Sequence, residues 1–303
     1  MSLTQSVDRK KILNTETELE NAMKTHMNKI NAKSFFPKYE PEEILLRQKQ
    51  YELWRMKKEN RFKTPKGLIK FTPSSASKAK RDLYYKALRV PEDESDNAPF
   101  NNRWTRNSTA VHETVQRDLL YAPYLMDNPT FTVNMLDKGD FGMLPAWEKA
   151  LESYKIHEHK GKKFVISGMM DGILTYEKTG QAVGFEFKTK TNDSWQVHNM
   201  KKPSQAHIQQ CVAYSLIFET PEGEPLNDYL ITYEAVPKDK WTSGVTALQD
   251  VKAFHIHITE RQKTNLLNKF AEVVECTETG ELPPIEKSKL LFSNYKSRYK
   301  GEI

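Results

Sequence analysis

With 303 residues, the chain suits one large domain, or one domain with a helical extension. Its 46 Lys+Arg against 40 Asp+Glu give a net charge of +6, and with a pI near 9.0 this modest excess favours an anionic partner. Two cysteines, Cys211 and Cys276, exclude a disulfide framework and a four-thiolate metal site within one chain, and point to a reducing compartment.

Residues 1–69 read as a charged helical N-terminal extension, a helix packed on the main domain or a mobile arm. Pro41, Glu42 and Glu43 suit a helix start, because proline fits the first turn and acids favour its positive end. "KFTPSSASKAKRDLYYKALRV" (70–90) predicts a helix opened by Thr72 and Pro73, with a stripe through Ala76, Ala79, Leu83, Ala87 and Leu88. Residues 91–103 read as an acidic, Asn-rich loop. Residues 107–121 predict a second helix with Val111, Val115 and Leu119 on one side.

Strand signals follow at 131–136, 163–167, 171–176 and 183–189, all rich in β-branched and aromatic residues. The short link "EKTGQ" joins the last two as a hairpin. Helical spacing returns at 203–218. Two more strands follow at 228–236 and 252–259, then a helix over 259–275 with a Thr259/Gln262 capping box. Residues 277–303 form a basic, aromatic tail. The order indicates an α/β or α+β fold with a mixed sheet. No apolar run approaches the ~18 residues of a membrane helix. The N-terminal "MSLTQSVDRKKILN" lacks the apolar stretch of a signal peptide, so the cytoplasm is the expected compartment.

The chemistry concentrates in "VGFEFKTK" (183–190). Side chains alternate along a strand, so Val183, Phe185 and Phe187 share one face and Glu186 and Lys188 the other. An E-x-K in a strand also fits a solvated face with a cross-strand ion pair. Here, however, Asp171 heads the preceding strand, and the hairpin brings Asp171 and Glu186 to one end of the sheet. Two converging carboxylates repel unless a cation holds them, and hard oxygen ligands suit Mg²⁺ or Mn²⁺. A lysine alongside would orient an attacking water or stabilise charge on a phosphate. His112 sits on the helix before the sheet. Gln210 and Tyr214, four apart, share a helix face with His207 one turn earlier, and they suit phosphate oxygens or a base. Singly, each of these also fits ordinary core or surface.

Taken in order, "TAVHE", "GMMDGIL", "GFEFKTKT" and "QCVAY" resemble the motifs of the RecB-like branch of the PD-(D/E)XK nuclease superfamily, over roughly residues 70–276. "TPSSASKAKRDLYYKAL" is similar to the serine-led helix that opens many such domains. The resemblance implies a restriction-endonuclease-like α/β core, a mixed central sheet flanked by helices. It implies a metal-dependent DNA nuclease, most simply an exonuclease of the kind phages encode for recombination or genome processing. His112, Asp171 and Glu186 would bind the metal with the carbonyl of Phe187. Lys188 would position the water, Gln210 and Tyr214 would hold the strand, and Arg81 would contact a phosphate.

Relatives with an iron–sulfur cluster hold it through four cysteines. Here Ala79 stands where the first would be and the tail has none, so no cluster is expected. Core packing must then join the opening helix to the C-terminal part. No G-x-x-x-x-G-K-[ST] occurs, so any helicase would be a separate partner, as would a recombination or single-strand-annealing protein. The competing readings are a DNA- or protein-binding module on the same fold that does not cleave, and a structural α/β protein whose motif matches are coincidental.

Overall fold

The computed structural model describes residues 18–57, 65–94, 98–190, 194–238 and 247–299. The N-terminal "MSLTQSVDRKKILN" and the last four residues of the basic tail lie outside them. The molecule is a mixed α/β protein. Its central sheet has the order β10-β9-β8-β7-β2, from β2 (Phe131–Val133), β7 (Gly172–Tyr176), β8 (Gln181–Lys190), β9 (Asp228–Ala235) and β10 (Val251–His257). β2, β7 and β8 run antiparallel in turn, β8 and β9 parallel, and β9 and β10 antiparallel. A second sheet joins β1 (Ile69–Phe71), β6 (Lys162–Gly168) and β5 (Ser153–His159). β3 (Met135–Asp137) and β4 (Met143–Pro145) form a small ribbon.

Both faces of the central sheet are buried. On β8, Val183, Phe185 and Phe187 enter a core shared with Val115 and Leu119 of α4 (Pro99–Leu125) and with Leu19, Met23 and Met27 of α1 (18–31). Tyr229, Ile231 and Tyr233 of β9 point the other way. They join α3 (Lys80–Ala87), α6 (Gln205–Tyr214) and α7 (Glu260–Thr279) in a larger core that also takes Phe71, Phe164 and Phe270. Phe71 and Phe270 stack at 4.1 Å. Two-sided burial explains why β8 and β9 read as nearly continuous apolar runs.

α1 is a packed helix, since Leu19, Met23, His26, Met27 and Ile30 are all buried. α2 (Tyr39–Lys57) is amphipathic only in part and lies across the sheet edge near β4. It is held by Arg55, which bonds the Lys149 carbonyl at 2.7 Å, and by the Trp147 indole, which donates to Gln48 at 2.8 Å.

Several expected elements differ. The helix expected at 70–90 is a strand, a single 3₁₀ turn (Pro73–Ser75) and the short α3, because Phe71 pairs beside Ile166 of β6. α4 begins at Pro99, inside the expected loop, with proline at its first position. The strand expected at 131–136 breaks at Asn134, whose N–H and C=O bond Ile173 and Ala146 instead. The helix expected at 203–218 ends at Tyr214. The capping box on Thr259 and Gln262 is present. α5 (Ser194–Asn199) completes the helices.

Candidate metal centre

The β7–β8 register sets the site. Gly172 faces Phe185, so Asp171, one step before β7, lies opposite Glu186. The Phe187 amide donates to Asp171 Oδ2 at 2.8 Å, which fixes that carboxylate at the strand end. Gln116 of α4 donates to the Asp171 carbonyl at 2.9 Å. One turn earlier on the same helix, His112 presents Nε2 to Asp171 Oδ2 at 3.3 Å and Nδ1 to Glu148 Oε1 at 3.5 Å. Its ring lies nearly parallel to that of Phe187 at 5.7 Å.

Glu148 is the residue that sequence reasoning missed. One ligand atom each from His112, Glu148 and Asp171 fall within 4.8 Å of one another. Glu148 has φ of 47°, a left-handed backbone that is uncommon outside glycine. Its N–H bonds the Met170 carbonyl at 2.9 Å, next to Asp171. Two residues earlier, Ala146 accepts from the Ile173 amide at 3.0 Å. The 146–148 segment therefore runs alongside the start of β7, and the turn swings the Glu148 side chain over Asp171. No spacing in "LPAWEKAL" signals this, because the partner residues lie 23 and 36 positions away.

Glu186, expected beside His112 and Asp171 as a ligand, is not among the three residues whose ligand atoms lie within 4.8 Å of one another. It is fully buried on the α6 side of the sheet, paired with the Lys188 ammonium, and its oxygens have no other hydrogen-bond partner. Burial, followed by the Asp171 charge, pushes its pKa up to about 7. For Lys188, burial works against the charged form, but Glu186 and Asp171 prevail and raise its pKa. For Asp171, burial is likewise opposed, by His112 and then Lys188, and its pKa falls. Burial also resists protonation of His112, and the carboxylates of Asp171, Glu148 and Glu186 outweigh it. Glu148 is raised by burial and then by Asp171.

One imidazole and two carboxylates converge here, with His112 Nε2 on Asp171 and Nδ1 on Glu148. The donor set fits a divalent cation, with oxygens for Mg²⁺ or Mn²⁺ and an imidazole that also suits Mn²⁺. His112 and Glu148 line a cleft of about 400 Å³ between α2, α4 and the 147–149 turn, together with Gln48, Lys49 and Glu52.

The remaining expected residues fall elsewhere. Tyr214 is 2% exposed, so it cannot lie against a strand directly; it accepts from Gln210 at 2.7 Å and lies near enough to Glu186 for that charge to raise its pKa, after burial. Gln210 stays partly exposed. His207 bonds the Tyr233 hydroxyl at 2.7 Å. The Phe187 side chain is in the core, and its backbone pairs in register with Thr232. Arg81, expected to meet a phosphate, is buried. It donates to the Pro283 carbonyl at 2.7 Å, with its guanidinium 5.8 Å from the Tyr299 ring, so it ties α3 to the C-terminal segment.

Fold and site thus define an α/β protein with helices flanking mixed and antiparallel sheets and a His–Glu–Asp cluster at the start of β7. No family model and no curated protein matches the chain. Among solved structures, the crystal structure of SSO0001 is similar over 84% of this chain and 98% of that one, at 12% identity and a TM-score of 0.43. Among the described residues, no helix is long and apolar enough to cross a membrane.

Proposed function

We propose that the protein is a metal-dependent DNA nuclease, an exonuclease of the RecB-like PD-(D/E)XK kind, acting on DNA in the cytoplasm with Mg²⁺ or Mn²⁺. The observation that carries this reading is the meeting of His112, Glu148 and Asp171 at the start of β7, one strand from the buried Glu186–Lys188 pair. A divalent cation held there would supply Lewis-acid activation of a water and neutralisation of charge on a scissile phosphate. His112, Glu148 and Asp171 would hold it. Lys188 carries the ammonium that orients the attacking water and offsets the charge developing on the phosphate. Glu186 keeps Lys188 in place from the buried side, and Gln210 fixes the Tyr214 hydroxyl below it. The β7–β8 hairpin and the parallel β8–β9 pair, which hold these residues on one sheet, agree with a restriction-endonuclease-like core.

The test compares wild type with Asp171→Ala and Lys188→Ala on end-labelled linear DNA and on covalently closed circles, with Mg²⁺ or after chelation. Cation-dependent loss of linear DNA by wild type alone is expected. Degradation undiminished in both variants would remove the assignment. A second reading, a DNA- or protein-binding module that does not cut, is favoured by one feature: the complete burial of Glu186, which is not among the three clustered residues. Mn²⁺ binding with no cleavage of any DNA would select it.

A further inference from the structure

A second cavity, of about 690 Å³, lies where the 76–79 turn, the N-terminal end of α6 and the 287–292 turn meet. Lys78, Lys269 and Lys289 line it with Ser204, Gln205 and Gln209. Lys269 is the informative one. Its ammonium donates to the carbonyls of Ala76, at 2.7 Å, and Lys78. Both acceptors are neutral, and the carboxylate that favours its charge, Glu286, is shared with Lys289. Burial and then the charge of Lys289 push its pKa down to about 7. Lys78 likewise donates to a carbonyl, that of Phe292, at 3.2 Å.

The carboxylates nearby are already engaged. Glu286 accepts from the Lys80 amide at 2.9 Å and pairs with Lys289 at 2.7 Å. Asp82 accepts from Ser293 at 2.7 Å and Tyr299 at 2.6 Å. Asp82 also lines the cavity, so its three lysines stand against two carboxylates, Asp82 and Glu286, with an excess of one positive charge. The first turn of α6 adds the partial positive charge of a helix start. Holding such a charge half out of water is costly unless an anion answers it.

We propose that this cavity binds a phosphate monoester, with Lys269 and Lys78 as its charged ligands and polar α6 side chains at its wall. The same chemistry has two sources, a free nucleoside monophosphate or the phosphorylated end of a nucleic acid strand. Neither depends on the metal centre, so the proposal stands or falls apart from the nuclease reading.

The experiment is titration calorimetry of the full chain in chelator, with adenosine monophosphate, a 5′-phosphorylated oligonucleotide and its 5′-hydroxyl counterpart. Saturable binding of a phosphorylated probe is expected, weakened about tenfold in Lys269→Met and several-fold in Lys78→Ala. Preference for the phosphorylated oligonucleotide over its hydroxyl form assigns a strand end, and tighter binding of the mononucleotide assigns a free nucleotide. Should Lys269→Met not fold, the partly exposed Lys78→Ala decides. No saturable binding of any phosphorylated probe at millimolar concentration overturns the site, as does affinity unchanged in the variants.

Discussion

Residues that hold charge in poor surroundings are the most informative side chains in this protein. Glu148 is held over Asp171 by a strained backbone and shares His112 with it. Replacing it with alanine removes one of three converging donors while leaving the hairpin intact, so Mn²⁺ affinity should fall at least about tenfold, read by calorimetry. Unchanged affinity would take Glu148 out of the centre. Asp171, Glu186 and Lys188 were legible in the sequence because a hairpin converts their spacing into proximity. Glu148 was not, since it reaches the site through a turn docked on a distant strand. Nor was the burial of Tyr214, which depends on how α6 seats on β8. His26 of α1 shows the opposite case, a titratable group with nothing to answer its charge. It is fully buried edge-on to Phe131 at 5.6 Å, and neither ring nitrogen has a partner. Burial, then Lys29, lowers its pKa from 6.5 to about 4. The unfolded chain takes up this proton below pH 6.5, and the folded chain only near pH 4. Its contribution to stability is thus intact above pH 6.5 and is lost progressively down to about pH 4. Between pH 7 and pH 5 wild type should lose about 2 kcal/mol more than His26→Leu in urea denaturation. Parallel losses in the two proteins would count against this account.

At the scale of elements, the central sheet is specified by contacts that are both alternating and close. The period of two on β8 sends its phenylalanines to α4 and leaves Glu186 and Lys188 facing α6, which is why this strand could be read correctly from its residues. The short strands were not readable: β1 and β4 owe their pairing to β6 and β3, and three-residue segments carry too little pattern. Gly184 faces Tyr229 across the β8–β9 pair. A Cβ there would lie 2.4 Å from the Tyr229 ring, and Tyr229 is fully buried with its hydroxyl bonded to the Leu226 carbonyl at 3.0 Å. The ring has no room to withdraw, so Gly184→Ala should destabilise the fold by about 3 kcal/mol, seen as a lower urea midpoint. The same strain would reach Glu186 two residues on. Wild-type stability in this variant would mean that β9 can move away, and that the site is softer than its hydrogen bonds indicate.

For the whole molecule, the main question is how a chain with its ends far apart in sequence closes around the sheet. The opening segment and the C-terminal part are joined by polar contacts. The Lys80 ammonium pairs with Glu272 at 2.6 Å, its amide bonds Glu286, and Arg81 bonds the Pro283 carbonyl. Asp82 is the centre of this junction. It is 4% exposed and accepts from Ser293 and Tyr299, more than 200 positions further along the chain. Asp82→Ala strands two buried hydroxyls and should cost about 3 kcal/mol in the full chain. In a chain ending at Glu286 the hydroxyls are gone, and the same substitution should cost less than about 1 kcal/mol, because coupled residues do not add. Denaturant melts of the four proteins in this cycle measure the coupling directly. Equal costs in both backgrounds would show that the C-terminal turns merely rest on α3, and that Asp82 serves the fold by some other contact. A large coupling makes the tail part of the folding unit, and with it the wall that Lys289 gives to the lysine-lined cavity.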